Sequence, residues 1–144
     1  DVLPAGETGH LWVRGPNVFQ GYWQNEEKTA ESFTPDGYFK TGDLAVIDDE
    51  GYISIVGRSK DLIITGGLNV YPKEIELVLD AIDGVMESAV IGLPHPDFGE
   101  SVCAVIVPLA EVDLTAEFIF DQIKPRLANF KTPKKIFFFI ANML

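Results

Sequence analysis

The first half of the chain alternates short apolar runs with turn residues. Apolar positions at residues 11–13 end at Gly15 and Pro16, and the runs at residues 44–47 and 52–56 flank the polar stretch 48–51. Apolar runs bounded by Gly, Pro and Asp are typical of strands. The last two runs, joined by a short acidic turn, predict a β-hairpin. We therefore expect a β-rich first half.

One short helix interrupts this pattern at residues 25–33. Asn25 is a good N-cap, and Glu26 and Glu27 favour a first helical turn because they complement the helix dipole. The sequence at residues 35–37, Pro-Asp-Gly, then predicts a turn.

The apolar period changes after Gly57, and the second half predicts a different unit. Its expected elements are a strand at 62–65, a glycine turn at 66–67, a helix from Pro72 to about Ala81, strands at 85–93 and 101–108, a helical region at 114–130 with Pro125 kinking it or starting a second short helix, and a strand at 136–140. The order β-α-β-β-α-β predicts a short sheet with both helices on one side. The expected fold class is α/β of the α+β type.

The helix that begins at Pro72 has one apolar face and one acidic face. Its apolar residues recur at helical spacing and predict the buried side, whereas the acidic ones should point outward. The apolar set is Ile75, Val78, Leu79 and Ile82, and the acidic set is Glu74, Glu76 and Asp80.

Composition narrows the possible classes of protein. The chain has 144 residues, 47% of them hydrophobic, and this size suits one domain or one domain with part of another. No apolar run approaches the roughly 18 residues that span a bilayer, and the N-terminus resembles no signal peptide. The chain does not begin with Met, so we expect a piece of a longer protein or a processed chain. The chain has a single cysteine, Cys103, so no internal disulfide is possible, and we expect the protein in the cytoplasm or another reducing compartment. The side chain of Cys103 is predicted to be small and buried.

Charge argues against nucleic acid as the main partner, because the formal net charge is -11. A basic run nevertheless lies near the C-terminus, with no acidic residue between its first and last members. It is either a solvated face or an attractor for a phosphate-bearing ligand. Its members are Lys124, Arg126, Lys131, Lys134 and Lys135.

Two polar residues have chemistry suited to a nucleotide. Asp43 follows Thr41 and Gly42 in a predicted tight turn, and a fixed carboxylate there can accept hydrogen bonds from the vicinal hydroxyls of a ribose. Arg58 follows the second strand of the predicted hairpin, and its planar fork of donors suits ribose oxygens or phosphate. Taken alone, each is more typical of an ordinary surface residue.

The sequence contains no evident catalytic triad, metal constellation or glycine-rich phosphate loop. His10 and His95 are far apart and lack the spacing of paired metal ligands, and His95 is expected in a turn between prolines. We therefore expect neither a metal site nor an autonomous ATP-hydrolysing or redox centre.

Three longer segments resemble the adenylate-forming (AMP-binding) superfamily when taken in order. They read GETGHLWVRGPNVFQGYW, DGYFKTGDL and DDEGYISIVGRSKDLIITGGLNVYPKEIE. The superfamily includes acyl-CoA synthetases, luciferases and the adenylation domains of peptide synthetases. Within it, GRSKDLIITGGLNVYPKEIE, VMESAVIGLPHPDFGESV and FKTPKKI most resemble malonyl-CoA synthetases.

The resemblance implies a two-step reaction with ATP, Mg²⁺ and CoA. ATP and a carboxylate give an acyl-adenylate and pyrophosphate, and the CoA thiol then displaces AMP to form a thioester. The implied acid is malonate or a similar small dicarboxylate, and a fatty acid or aryl acid is the alternative. A luciferase-like or peptide-synthetase enzyme would share the same segments, and a non-catalytic partner-binding module is the alternative of another class.

The resemblance also implies a domain organisation. Residues 1–59 would end a large AMP-binding N-terminal domain, and residues 60–144 would form the small C-terminal domain. The adenylation lysine of the family would lie beyond Leu144, and the acyl pocket and triphosphate loop would lie before Asp1. We expect no catalytic residue within the chain, and the chain alone to be inactive.

Particular residues match the motifs of the family. Asp43 corresponds to the carboxylate that holds the ribose hydroxyls, with Arg58 as its partner, and Lys60 occupies the hinge position. Gly66 and Gly67 match the loop that lines the CoA tunnel, where a Cβ would narrow the passage. Lys134 and Lys135 are candidate contacts to the phosphates of CoA.

Overall fold

The computed structural model describes residues 2–139, which form two compact units that divide after Lys60. Both combine antiparallel strands with short helices, so the predicted α/β class is confirmed. The division between the units follows residue 60. Their assignment to parts of two enzyme domains stays a prediction.

The first unit is a three-stranded antiparallel sheet in the order β1-β2-β3. These strands are β1 (Thr8–Val13), β2 (Phe39–Ile47) and β3 (Ile53–Arg58). The predicted hairpin between β2 and β3 is confirmed. Asp48 stabilises its turn, since the Oδ1 atom accepts a hydrogen bond of 2.9 Å from the backbone N–H of Tyr52.

The helix of the first unit, α1 (Glu26–Ser32), begins where the sequence predicts. The side chain of Asn25 accepts a hydrogen bond of 3.0 Å from the backbone N–H of Lys28, which confirms the N-cap. Next to α1, the ring of Phe39 on β2 contacts that of Phe19 at 5.0 Å between centroids. Edge-to-face packing of this kind gives a small unit an apolar centre.

The second unit is a five-stranded sheet with two helices. Strands β5, β4, β7 and β6 lie in that order, and β8 pairs with β7 in parallel. The elements are β4 (Ile63–Thr65), β5 (Leu68–Val70), α2 (Pro72–Asp80), β6 (Val85–His95), β7 (Gly99–Pro108), α3 (Ala116–Ile123) and β8 (Lys135–Phe138).

Both helices pack on the same face of this sheet, which confirms the predicted one-sided arrangement. Alternate residues of β7 face inward and meet the apolar stripes of α2 and α3 in one cluster. Cys103 is buried, as predicted. The fully buried members of the cluster include Val102, Ala104 and Ile106 from β7, Ile75 and Leu79 from α2, and Ile119 and Ile123 from α3.

The structure has a strand, β5, that the predicted order of elements lacks, and the prediction is wrong on this point. Gly66 and Gly67 have φ of +57° and +78°, and Thr65 pairs with Leu68 across them. Two successive positive φ values make a two-residue turn of the type I′ class, which returns the chain as an antiparallel strand. The glycine turn therefore joins β4 to β5, where a direct passage from turn to helix was expected.

The helix predicted over residues 114–130 is shorter in the structure. Helix α3 is capped by Thr115, whose side chain accepts from the backbone N–H of Phe118 at 3.2 Å, and it ends at Ile123. Lys124 keeps helical torsions, with φ of -52° and ψ of -41°, but Pro125 has no N–H to donate to the carbonyl of Asp121, so the regular helix ends there. No second helix forms after Pro125 in the described residues. Strand β8 ends at Phe138, and the predicted end of that strand at Ile140 lies outside the described residues.

Among residues 2–139, no helix has the length and apolar character that crossing a bilayer requires.

Candidate functional site

The Thr-Gly-Asp segment lies inside strand β2, in a bulge. Strand β2 pairs with β1 at Lys40 and again at Leu44, so residues 41–43 lie opposite the single residue Leu11. The φ of Gly42 is +81°, a value that glycine adopts without steric cost. This corrects the predicted turn ahead of the strand. The bulge, and not a turn, presents Asp43.

Thr41 fixes the shape of the bulge. Its hydroxyl donates to the carbonyl of Leu11 at 2.9 Å and accepts from the backbone N–H of Asp43 at 3.0 Å. A hydroxyl can donate and accept at once, so one side chain ties the bulge to β1 and also orients Asp43. The sequence reasoning missed this role of Thr41. Its signal is a hydroxyl residue two positions before an aspartate, which is typical of local side-chain to backbone bonding.

The structure brings Asp43 and Arg58 together. They are cross-strand partners in the β2–β3 pair, and Arg58 Nε lies 3.3 Å from Asp43 Oδ1. The Nη2 atom of Arg58 also donates to the carbonyl of Thr41 at 3.2 Å. The side chains of Arg58 and Asp43 are 53% and 25% exposed, so the pair is open to a ligand. An exposed pair of this kind adds at most about 1 kcal/mol to stability.

Gly42 also leaves space for the guanidinium of Arg58. A Cβ at this position would lie 3.3 Å from Arg58 Nη2, which is closer than an ordinary van der Waals contact. Glycine therefore suits the site for two reasons, its positive φ and the proximity of the guanidinium. The arrangement presents a carboxylate that accepts from hydroxyls beside a fixed set of N–H donors.

Lys60 lies in a single turn of 3-10 helix, Ser59–Asp61, and it is the last residue of the first compact unit. Its side chain is exposed. The hinge role of Lys60 stays a prediction.

Gly66 and Gly67 form the tip of the β4–β5 hairpin. The N–H of Gly66 donates to the carbonyl of Phe98 at 2.9 Å, which fixes the tip against the β6–β7 connection. A Cβ on Gly66 would lie 3.6 Å from the Phe98 ring, and one on Gly67 would meet nothing within 4 Å. Within the second unit, backbone torsion therefore explains the two glycines. Their role in a CoA passage stays a prediction.

Two lysines of the basic run, Lys131 and Lys134, donate hydrogen bonds to oxygen atoms of the protein. Lys131 donates to both carboxylate oxygens of Glu74 on α2, at 2.7 and 2.8 Å. Lys134 donates to the carbonyl of Asn129 at 3.1 Å, and Lys135 is exposed at the start of β8. The proposed contacts of Lys134 and Lys135 with CoA stay predictions.

The acidic face of α2 is not simply solvated, which corrects the outward orientation predicted for it. Glu76 accepts from the backbone N–H of Val90 on β6 at 3.0 Å, and Asp80 accepts from the hydroxyl of Ser88 at 2.6 Å. Glu74 binds Lys131. These carboxylates therefore attach α2 to its neighbours.

No cluster of three or more potential metal-ligating side chains comes together within residues 2–139. His95 Nδ1 accepts from the backbone N–H of Asp97 at 3.2 Å. His95 is the last residue of β6 and pairs with Gly99, which corrects its predicted place in a turn.

Comparison with known proteins shows which family this chain resembles. Residues 74–143 match the AMP-binding enzyme C-terminal domain. A feruloyl-CoA synthase from Amycolatopsis sp is 44% identical over 138 residues, which is 96% of this chain and 28% of that protein. The chain belongs to the adenylate-forming superfamily.

Solved structures of this superfamily agree with the fold. The ATP-bound structure of MatB from Rhodopseudomonas palustris is 54% identical with a TM-score of 0.87, and the match covers 95% of this chain and 27% of MatB. The o-succinylbenzoate CoA synthetase MenE from Bacillus subtilis, in complex with ATP and magnesium, is 37% identical with a TM-score of 0.87. That match covers 96% of this chain and 28% of MenE. The chain thus spans little more than a quarter of the length of each of these three proteins.

Proposed function

We propose that the chain is part of an ATP-dependent acyl-CoA synthetase. The carboxylate of the acid attacks the α-phosphorus of ATP, which gives an acyl-adenylate and releases pyrophosphate. The thiol of CoA, with loss of its proton, then attacks the acyl carbonyl and displaces AMP. The partners are small molecules: ATP, a carboxylic acid and CoA.

The observation that carries this proposal is the pairing of Asp43 with Arg58 on adjacent strands. The pair uses Asp43 Oδ1, and the second carboxylate oxygen suits the vicinal hydroxyls of a ribose. The guanidinium is fixed by its bond to the carbonyl of Thr41, so its other N–H groups have a defined direction. Asp43 and Arg58 together would hold the ribose of ATP in the first step and of AMP in the second.

The other predicted residues have separate roles in the proposal. Lys60 is the pivot about which the second unit changes its orientation between the two steps. Gly66 and Gly67 border the path of the pantetheine arm, and Lys134 and Lys135 attract the phosphates of CoA. Magnesium would neutralise the phosphate charge of ATP, and no group of its potential ligands comes together in the described residues.

Because the chain spans 28% of its feruloyl-CoA synthase relative, the acyl pocket and the adenylation lysine are proposed to belong to other parts of the enzyme. Residues 1–144 alone would then catalyse neither step.

The proposed acid is malonate or a related small dicarboxylate. The proposal rests on the resemblance of residues 57–76, 85–102 and 130–136 to malonyl-CoA synthetases. Fatty and aryl acids are the alternatives, and the named relatives of the chain include a feruloyl-CoA synthase and an o-succinylbenzoate CoA synthetase. Pyrophosphate exchange in the full-length enzyme with a panel of carboxylic acids selects among them.

The test of the nucleotide site is Asp43→Ala in the full-length enzyme. Loss of a charge-assisted hydrogen bond to the ribose should raise the ATP KM by about tenfold or more, since such bonds contribute about 1.5–3 kcal/mol. The measurement is acid-dependent exchange of pyrophosphate into ATP. The matched control is Asp49→Ala, which removes an exposed aspartate from the β2–β3 turn of the same unit.

The two variants must differ for the assignment to stand. An unchanged ATP KM in the Asp43→Ala enzyme would remove Asp43 from the ribose site. Absence of acid-dependent exchange in the wild-type full-length enzyme, across the whole panel of acids, would contradict the proposed function itself.

A further inference from the structure

The side chain of Glu100 binds the backbone of strand β4. Its Oε2 atom accepts a hydrogen bond of 2.7 Å from the backbone N–H of Ile64. A carboxylate that accepts from a backbone N–H makes a short, charge-assisted bond, which is stronger than a bond between neutral groups. Glu100 is the second residue of β7, so this bond joins β7 to β4 through a side chain.

This bond lies where the backbone pairing between the two strands is sparse. Among the described residues, β4 and β7 share the single pair Thr65 with Gly99. A short strand held at one pair can separate at low cost, because local opening depends on the few bonds that must break. Glu100 adds a second attachment directly beside that pair.

The neighbouring strand leaves room for the carboxylate of Glu100. A Cβ on Gly92 of β6 would lie 2.6 Å from Glu100 Oε1 and 2.9 Å from Glu100 Cδ. The φ of Gly92 lies outside the left-handed region, so the backbone does not require glycine at this position. The missing side chain therefore serves to seat the carboxylate.

A second bond holds the same hairpin from the same side. The N–H of Gly66 donates to the carbonyl of Phe98 at 2.9 Å, two residues before Glu100 in the chain. The β4–β5 hairpin that carries Gly66 and Gly67 is thus fixed on both sides of Thr65, at Ile64 by Glu100 and at Gly66 by Phe98. The first of these attachments depends on a side chain, so mutation can remove it without changing the backbone.

We propose that Glu100 is a positioning residue for the thioester-forming step. It keeps the glycine hairpin in the conformation that receives the pantetheine arm of CoA, and it contacts neither CoA nor the nucleotide. The inference rests on the proposed function, because it takes Gly66 and Gly67 as the border of the CoA path. If only a fraction of the molecules hold the hairpin in place, the apparent affinity for CoA is the intrinsic affinity multiplied by that fraction.

The test compares Glu100→Ala with Glu100→Gln in the full-length enzyme. We expect Glu100→Ala to raise the CoA KM about tenfold while pyrophosphate exchange stays within about twofold of the wild type. Glu100→Gln should recover most of the CoA affinity, because its amide oxygen still accepts from the N–H of Ile64. The control is Glu87→Ala, which removes an exposed glutamate from β6.

Hydrogen exchange in a peptide that contains residues 62–70 provides a readout besides activity. Glu100→Ala should speed exchange in this peptide, and Glu87→Ala should not. Equal loss of both half-reactions, an unchanged CoA KM, or unaltered exchange in residues 62–70 would each overturn the role of Glu100. If the wild-type enzyme performs neither half-reaction, the proposed function itself fails. If the wild-type enzyme performs both and only the Glu100 results disagree, the failure is confined to the role of Glu100.

Discussion

At the scale of single residues, Gly67 separates two explanations for the glycine pair in the β4–β5 turn. Its φ of +78° is costly for any residue with a Cβ other than Asn or Asp, whereas a Cβ built there meets nothing within 4 Å of the same unit. Backbone strain and obstruction of a CoA path therefore predict different mutational effects at this position.

Gly67→Ala and Gly67→Asn distinguish these effects. Gly67→Ala should lower the free energy of unfolding by about 1 kcal/mol, because alanine is strained at positive φ, and Gly67→Asn should restore part of it. Both should raise the CoA KM of the full-length enzyme if a Cβ narrows the passage. Urea denaturation measures the first quantity and steady-state kinetics the second. A CoA KM that rises only in the less stable variant would contradict the passage.

The chemistry of Asp43 and Arg58 could be predicted from residue type, but their contact could not. It depends on the register of β2 against β3, which shifts between Leu44 and Ala45, and register is not visible in a single sequence. The same limit applies to Glu100 with Ile64, 36 positions apart, since tertiary packing alone brings them together.

At the scale of elements, strong local signals gave reliable predictions. The β2–β3 hairpin follows from an acidic turn between apolar runs, and Pro72 marks the first residue of α2 as expected. Strand β5 was missed because three residues, Leu68–Val70, are too few to show a period. Helix α3 is shorter than predicted because the apolar pattern continues past Pro125, which has no N–H to continue the helical hydrogen bonds.

The turn Ser59–Asp61 is the element at which the proposed change of orientation would occur. Proline at Lys60 fixes φ near -65° and removes an N–H, so it should restrict that change. We expect Lys60→Pro in the full-length enzyme to slow thioester formation by about tenfold, equivalent to about 1.4 kcal/mol, and to leave pyrophosphate exchange within about twofold. Lys60→Ala, which keeps the backbone free, is the matched control. Equal loss of both half-reactions in Lys60→Pro would count against the hinge.

At the scale of the whole molecule, charge is unevenly distributed. The chain carries a net charge of -11, which opposes the approach of an anionic ligand such as CoA over most of its surface. The basic run is the exception in sequence, and the structure shows that Glu74 neutralises Lys131 within it. Lys134 and Lys135 are the members predicted to contact CoA. Lys134 directly precedes β8, Lys135 is its first residue, and both are exposed.

Neutralising Lys134 and Lys135 tests whether the basic run attracts CoA. The double variant Lys134→Gln with Lys135→Gln should raise the CoA KM of the full-length enzyme about threefold at low ionic strength, since exposed charge pairs contribute about 0.2–1 kcal/mol each. The difference should shrink toward 1 M salt, where the screening length falls to about 3 Å. Lys28→Gln removes one exposed positive charge from α1, against two in the double variant, so it controls for a loss of charge outside the basic run and should leave the CoA KM unaltered. A double variant with wild-type CoA affinity at low salt would identify the run as a solvated face, and the attraction of CoA would then have to come from other parts of the enzyme.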